Sequence, residues 1–407
     1  MKQNSKARYL NTSIVGGFTC SLLSAVFSSS IATAETEIRG NVSAQLQGFT
    51  ATAIHEADHD VNGSIAAEAE IYTPFGDGNR FITITPFLRV DQHDDERTHV
   101  DLREFLYTQA ADDWEFKVGL GQIFWGVAES RNPVDIINQQ DQVESLASSA
   151  KLGQPMINAT LIKDWGNISA FILPGFRERT LVGEDGRPRL PIIINADDAL
   201  YESDDEEQHI DFALRYSTIL QEWDLGLSYF NGTRREPLLI SNDNGATLQP
   251  FYIQMEQIGI DLQATLESWL LKAELVHQSG DLIEDHVESV VGFEYSFYGV
   301  AESAVDIGIV AEHLWDQRDD SPPLLQNDLL LGLRFALNDE QSSEALIGIL
   351  GDLDGGGQQL SLEASRRIGN SLKISADAAV WMGTEEADPL HALRNEDYVQ
   401  IEIAYFF

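Results

Sequence analysis

The sequence predicts an all-β protein: a transmembrane antiparallel β-barrel of about 18 strands, with 16 as the alternative count. Three observations lead to this fold class: an export signal at the N terminus, a period of two in the hydrophobic pattern of the remaining chain, and connections that alternate between short and long. Of the 407 residues, 43% are hydrophobic, which excludes an intrinsically disordered chain because there is ample apolar surface to bury.

The first 34 residues have the features of a signal peptide. Lys2, Lys6 and Arg8 precede a mostly apolar run over 14–27, and the small residues of 32–34 then match a cleavage site. The alternative is a membrane anchor helix, for which the run is short and is interrupted by glycine and serine. We therefore expect that the protein is exported and that cleavage follows Ala34.

Cleavage divides the chain into a signal peptide, 1–34, and one barrel domain, 35–407. It removes three positive charges, no acids and the one cysteine, which leaves 373 residues with a formal charge of −43. Such acidity argues against nucleic acid as a partner, since nucleic-acid binders carry basic patches. Without cysteine, the domain has neither a disulfide framework nor a multi-cysteine metal site.

The barrel domain alternates apolar and polar side chains, the pattern that places successive residues on opposite faces of a strand. In the first strand Ile38, Val42 and Leu46 share one face, and polar residues occupy the other. Many segments reach the roughly nine to eleven residues that a tilted strand needs to cross a bilayer. The predicted strands are 38–50, 63–73, 80–91, 98–111, 114–124, 156–163, 165–174, 208–218, 223–233, 251–266, 268–279, 285–298, 303–315, 326–337, 344–353, 358–367, 371–383 and 395–407.

Short and long connections alternate along most of the chain, as expected of a barrel whose two termini lie at the same end. A soluble β-sandwich also alternates, but one of this length would need several domains and visible linkers. Three residues fit the predicted alternation poorly. Glu104 falls on the apolar face between Leu102 and Leu106, Pro86 interrupts a strand, and Trp381 falls on the inner side. A bulge, or a position near the rim, would explain each of them.

The last strand alternates in the same way and ends on Phe407, an aromatic C terminus. This strand resembles the closing strand of Gram-negative outer-membrane porins, whose terminal aromatic residue is read by the barrel-assembly machinery. The segments 102–107, 118–126 and 132–138 also resemble a block that recurs in poorly characterised porin-like barrels. The resemblance implies the bacterial outer membrane as location, with its lipid and lipopolysaccharide as partners. A homotrimer and a monomer are both compatible with it.

The link 125–155 is the candidate pore constriction, because in the trimeric general porins that the chain resembles the loop after the fifth strand folds into the barrel. Acids on such a loop, opposite a basic wall, would set a transverse field that orients polar solutes. The alternative is a surface loop with solvated charges, and basic wall residues that pair with their neighbours. The candidate constriction residues are Glu129, Asp135, Asp141 and Glu144 on the loop, and Arg89, Arg103 and Lys117 on the wall.

The function that follows is passive diffusion of small hydrophilic solutes, with a modest preference for cations because acids outnumber bases on the polar face. The basic residues Arg89, Arg103 and Lys117 oppose that preference if they line the narrowest point. One alternative is a barrel with no open pore and a structural or surface-interaction role. Another, less favoured, is a membrane-embedded hydrolase.

Few motifs in the sequence point to chemistry. We find no nucleophile-elbow, zinc-protease or phosphate-loop pattern, and we predict neither enzymatic activity nor a cofactor. The segment 352–357, which reads Asp-Leu-Asp-Gly-Gly-Gly, resembles a fragment of a calcium-binding loop. A single copy is a weak signal, and a glycine-rich hairpin tip explains the same residues.

Overall fold

The computed structural model describes residues 35–53, 59–145, 150–241, 247–318, 323–383, 386 and 388–407. The predicted signal peptide lies outside the described residues. In the described part, 18 antiparallel strands form one closed sheet, which confirms the predicted fold class and strand count. In chain order, β1 to β18 span Glu37–Phe49, Val61–Phe75, Arg80–Asp91, His99–Ala110, Trp114–Gly121, Gln154–Lys163, Gly166–Pro174, Ile210–Leu220, Trp223–Thr233, Gln254–Leu266, Trp269–Gly280, Ile283–Phe297, Asp306–Asp316, Asn327–Ala336, Glu344–Asp352, Gln358–Ile368, Leu372–Met382 and Tyr398–Phe406.

The sheet closes because the first and last strands pair with each other. The register places Asn41 of β1 opposite Phe406 of β18, and the pairing continues to Phe49 opposite Tyr398. Every strand thus has two hydrogen-bonded neighbours, which leaves no open sheet edge and satisfies the backbone groups along the wall.

The alternation in the sequence sorts side chains between the two surfaces of the barrel. Ile38 and Leu46 of β1 are 54% and 58% exposed on the outer surface, whereas Ser43 and Gln47 of the same strand are buried on the inner surface. Large apolar side chains are exposed in the same way on strands around the circumference. The result is an apolar outer wall around a polar lumen, which is the distribution found in barrels that lie in lipid.

The two ends of the barrel differ in the length of their connections. The short-turn end, where both described termini lie, has the connections 76–79, 111–113, 164–165, 221–222, 267–268, 298–305, 337–343 and 369–371. The opposite end, here called the mouth, carries 50–60, 92–98, 122–153, 175–209, 234–253, 281–282, 317–326, 353–357 and 383–397.

Tryptophan side chains form an exposed set at the short-turn end. Trp114, Trp223 and Trp269 begin β5, β9 and β11, and Trp165 lies in the turn before β7. Each exposes between 37 and 52% of its surface. Exposed indole rings at the level of the strand ends are the arrangement expected of an aromatic belt, where one part of the ring is wet.

The residues that disturbed the predicted alternation have structural explanations. The pairing of β3 with β4 shifts register at Thr85 and Pro86, so that β4 has one extra residue at Arg103. Arg103 and Glu104 consequently both face the lumen. Leu106, predicted to share the outer face with Leu102, is instead buried inside the barrel.

Trp381 lies on the inner surface, as its parity indicates. Its ring packs with Leu390 and Leu393, which belong to the mouth connection 383–397.

The mouth connections contain further short elements. The strands Ile193–Ile194, Leu200–Tyr201, Leu238–Ser241 and Thr247–Tyr252 form a separate small sheet that joins 175–209 to 234–253. In the described residues, short 3-10 helices lie at Ala196–Asp198, Glu206–Gln208 and Pro389–Leu393 of the mouth connections, and another lies at Val300–Glu302 of the short-turn end. None of the helices in the described ranges has the length and apolar character to cross a membrane.

Candidate pore constriction

The connection 122–153, here called the lumen loop, runs across the interior of the barrel. On one side Glu144 pairs with Arg89 of β3 at 2.7 Å, and Asp141 pairs with Arg103 of β4. On the other side Glu129 pairs with Arg334 of β14 at 2.6 Å. The bounds of the lumen loop differ slightly from the predicted 125–155, because β5 ends at residue 121 and β6 begins at 154.

The candidate residues of the basic wall do not present free charge to the lumen. Arg89 binds Glu144 through both Nε and a terminal nitrogen, and also donates to Ser64. Arg103 bridges Asp141 and its own strand neighbour, Asp101. Here the loop acids contact the wall bases directly, so no open gap separates the two sets of charges.

Lys117 and Asp135, the remaining candidates, do not link the lumen loop to the barrel wall in the described residues. Lys117 pairs with Glu115 of the same strand at 2.7 Å. Asp135 pairs with Lys151 inside the lumen loop, and it also accepts the backbone N–H of Trp125 at 3.2 Å. Asp135 therefore shapes the loop itself. Burial raises the pKa of Asp135, an effect that the positive charge of Lys151 opposes.

Two acids on the far wall hold the lumen loop through its backbone. Glu274 of β11 accepts the N–H groups of Val127 at 2.6 Å and Ala128 at 3.0 Å. Glu312 of β13 accepts the N–H of Glu129 at 2.8 Å.

Ser130 completes the Glu312 contact by donating both its N–H, at 2.8 Å, and its hydroxyl, at 2.6 Å. Glu274 and Glu312 are each only 1% exposed. Strand parity assigns both to the polar face, but nothing in the sequence identifies them as site residues. Their partners on the lumen loop, backbone N–H groups and the Ser130 hydroxyl, are more than 140 positions away.

An apolar cluster seals the lumen loop against one side of the barrel. Trp125, Val134 and Ile137 of the loop pack on inner-face residues of β4 and of β6 through β11, including Met156 and Phe171. Val134 and Ile137 have no exposed surface. Buried side chains of the loop and of the wall therefore fill the space between them on this side.

Open space remains on the other side of the loop, along β18 and β1 to β4. A cavity of about 360 Å³ there has Glu68, Glu70 and Glu104 in its wall, together with Arg39, Arg103 and Lys151. All three of these bases are held in ion pairs, Arg39 with Glu37 of its own strand. The three acids form no salt bridge with any described residue.

Further acids that form no salt bridge with a described residue lie on the neighbouring strands of the lumen wall. Glu363, Asp377 and Glu402 lie on the inner faces of β16, β17 and β18, again without a salt bridge in the described part of the chain. Two bases without an ion pair, Arg367 and Lys373, lie closer to the short-turn end. The accessible wall of the lumen therefore carries more unpaired acids than unpaired bases.

A second network surrounds Arg131, on the β12 and β13 side of the lumen loop. Arg131 contacts Glu288 at 2.9 Å, and Arg318 pairs with Asp316 at 2.6 Å. His286, Glu288 and Asp316 have ligand atoms within 4.8 Å of one another, a spacing that suits a metal ion. Because two guanidinium groups already neutralise these carboxylates, the arrangement is better described as an ion-pair network.

The ion-pair network around Arg131 extends to the mouth connection 234–253. Arg234 of that connection binds Glu236 at 3.0 Å, and Arg131 lies at 3.9 Å from the same carboxylate. Burial alone would raise the pKa of Glu236, but Arg131, Arg234 and Arg179 outweigh it and hold that pKa below its usual value.

The connections at the mouth are tied together by Arg187. This side chain binds Glu396 at 3.0 Å and donates to the carbonyl groups of Ala51, His59 and Asn395. Its guanidinium also lies 4.1 Å from the centre of the Phe49 ring. Arg187, which belongs to 175–209, thereby contacts the connections 50–60 and 383–397. The mouth is therefore partly covered.

Comparison with solved structures identifies porins as the proteins of similar fold. OccK11 (OpdR) of Pseudomonas aeruginosa aligns with a TM-score of 0.52 at 9% identity, over 91% of this chain and 96% of that one. A mutant porin of Rh. blastica aligns at 0.47 with 12% identity, covering 92% and 100% of the two chains. OmpF of Salmonella typhi aligns at 0.46 with 10% identity, covering 91% and 97%.

No protein-family model matches the sequence, and no curated protein matches it either. The similarity is therefore one of architecture. In its fold, the chain resembles the outer-membrane porins.

Proposed function

We propose that the protein is an outer-membrane channel for the passive diffusion of small hydrophilic solutes. The observation that carries this proposal is the lumen loop, which crosses the barrel and packs against one side but leaves an acid-lined space along β18 and β1 to β4. A polar wall with a local narrowing is what a diffusion channel requires. Single-channel recording in a planar bilayer tests the proposal, and a folded barrel that never conducts would refute it.

The channel is proposed to prefer cations modestly. Glu68, Glu70 and Glu104 face the open space without a basic partner among the described residues, while Arg89 and Arg103 are neutralised by the lumen loop. An excess of negative charge concentrates cations within a Debye length, about 8 Å at physiological salt. A reversal potential measured in a salt gradient tests the sign, and clear anion preference would contradict it.

A barrel with a structural or surface role and no open pore is the second candidate. The cover at the mouth favours it, because Arg187 fastens 175–209 to Glu396 and to the connection after β1. The same recording separates the two candidates. If conductance appears only when Arg187 is replaced by alanine, the wild-type mouth is closed.

Export and assembly are part of the proposal. The segment 1–34 would direct the chain out of the cytoplasm, and the C-terminal strand ending at Phe407 would be presented to the barrel-assembly machinery. We expect the mature chain to fractionate with the outer membrane, among its lipid and lipopolysaccharide, and to show heat-modifiable gel migration. Recovery as a soluble periplasmic protein would contradict this. Cross-linking in the native membrane distinguishes a homotrimer from a monomer.

A further inference from the structure

Residues 177–190 of the mouth connection 175–209, here called the strap, are fastened at several points along their length. At the start of the strap, Arg177 pairs with Asp101 at the mouth end of β4, at 2.8 Å. Further along, the N–H of Gly183 donates to the carboxylate of Asp94 in the connection 92–98, at 3.2 Å. One end of the strap is therefore attached to the β3 and β4 side of the mouth.

The other end of the strap is fixed by Arg187 and Leu190. Arg187 binds Glu396 and the carbonyl groups described above, and its side chain has no exposed surface. Leu190 packs on the apolar cluster that contains Trp381 of β17. The strap thus contacts the connections that join β17 to β18, β1 to β2 and β3 to β4, on the side where the lumen is open.

The Arg187 guanidinium lies against a pair of histidines. It donates to the carbonyl of His59 at 2.9 Å and lies over the Phe49 ring, which the His59 ring meets edge-on. The His59 ring also stacks on His93 of the connection 92–98, with 4.1 Å between centroids and 13° between planes. Nε2 of each histidine is buried and has no hydrogen-bond partner in the described part of the chain. The packing therefore suits neutral rings, since a charge buried here would lack a partner at Nε2.

The charges near His59 also oppose its protonation. The titratable and charged groups that act on it are His93 of 92–98, Arg187 and Asp185 of the strap, and Asp91 of β3. Burial lowers the pKa of His59, and the neighbouring His93 and Arg187 lower it further, against the two acids. Asp91 is already paired with Arg97 at 2.7 Å.

From this packing we propose that His59 and His93 form an acid-sensitive latch, which holds the strap in place while both rings are neutral and releases it when they are protonated. A proton on the stacked pair places positive charge beside the buried guanidinium of Arg187, and release of the strap returns the rings to water. The docked strap is therefore favoured above the ordinary histidine pKa of about 6.5 and is progressively lost as the pH falls below it. The latch would regulate access to the lumen from the mouth.

Two carboxyl groups that hold the strap titrate in the opposite sense. Burial raises the pKa of Asp94 and of Glu396, so acid favours the docked strap through these two groups. The ordinary pKa of a carboxyl group, about 4, lies well below that of histidine. A comparison of about pH 7.5 with about pH 5.5 therefore reports chiefly on the histidines.

Hydrogen–deuterium exchange of the full barrel in detergent tests the latch, because it detects release of the strap whether or not the barrel conducts. The amides of 181–190 include the Gly183 and Gly186 donors. A histidine that titrates near pH 6.5 only in the released strap changes the ratio of docked to released strap by about tenfold between pH 7.5 and pH 5.5. With labelling times scaled to the intrinsic exchange rate, protection of 181–190 should fall by about that factor in acid.

Unchanged protection of 181–190 in the wild-type barrel would overturn the proposal. A barrel that never conducts would refute the channel function and would leave this measurement intact. Arg187→Ala supplies the reference for a released strap at both pH values.

Variants assign the acid response to the histidine pair. His59→Phe keeps a ring between Phe49 and His93 but cannot be protonated, so most of the acid response should disappear. His313→Gln, which changes an exposed histidine of β13, is the matched control and should respond as the wild type does. If His59→Phe does not fold, His59→Gln is the substitute. A full wild-type response in the variant without His59 would overturn the assignment.

Discussion

Removing the Glu312 carboxylate should loosen the lumen loop and change how the channel conducts. Glu312→Ala deletes the acceptor of the Glu129 N–H and of the Ser130 N–H and hydroxyl, at distances between 2.6 and 3.0 Å. It also removes the carboxylate that lies 3.6 Å from the ammonium group of Lys272. All of these groups lie inside the barrel, and Glu312 itself is only 1% exposed.

The size of the effect follows from the kind of contact. Hydrogen bonds to a charged group contribute about 1.5–3 kcal/mol each. Because such contributions are not additive, the loss of one partner in a buried charged network is better taken as about 3–5 kcal/mol. That range corresponds to about two to four orders of magnitude in the ratio of docked to released conformations of 127–131. Complete release is not expected, since Glu274, Arg89 and Arg103 still hold the remainder of the loop.

Single-channel recording is the assay, and the expected result is an open-channel current that flickers and has a higher mean conductance than that of the wild type. Glu312→Gln, which retains one acceptor oxygen, should have an intermediate effect. Glu115→Gln is the control, since Glu115 pairs with Lys117 of its own strand and forms no ion pair with the described part of the loop. If Glu312→Ala folds but conducts with wild-type amplitude and noise, the lumen loop does not limit the current and our reasoning is wrong.

Three further predictions concern the same lumen. Deleting 130–140 should raise the conductance several-fold, because this segment carries Arg131, which pairs with Glu288 of the wall, and the apolar residues Val134 and Ile137, which pack the loop against the barrel; an unchanged conductance in a folded barrel would mean that current passes elsewhere. The double variant Glu68→Gln, Glu104→Gln should reduce cation preference, seen as a smaller reversal potential in a salt gradient, and the effect should weaken as salt rises. The low pKa of Glu236 means that its ion pairs stabilise the mouth above its unfolded-state pKa of about 4.5 and that this contribution is lost as the pH falls through the lower folded-state value. Glu236→Gln should therefore lower the unfolding temperature at pH 7 and reduce the acid dependence of unfolding, and equal losses at pH 7 and pH 3 would contradict the assignment.

The identity of the site residues shows where the sequence stops being informative. Arg89 and Arg103 are predicted from strand parity, and the acids Glu129, Asp141 and Glu144 are predicted from the resemblance to porins whose loop after the fifth strand enters the barrel. Parity determines on which face of a strand a side chain lies, but it carries no information on which distant group that side chain meets. The predicted field across an open gap is accordingly replaced on this side by direct ion pairs.

The strand pattern was determined by the sequence alone, because a period of two is a local property of each segment. It sufficed to predict the strand count, the apolar outer face and the inner position of Trp381. The irregularity at Pro86 was also visible, since proline cannot donate to a sheet ladder. Its consequence for β4, an extra residue that turns Leu106 inward, was not predictable without the partner strand.

The tertiary structure decided the path of the lumen loop and the packed and open sides of the lumen. Both depend on contacts between residues far apart in the chain, such as Glu312 with Ser130 and Arg334 with Glu129. A connection has no periodic pattern, and its conformation is selected by the surfaces that it meets. Local sequence therefore determined the wall of this barrel, and long-range packing determined what fills it.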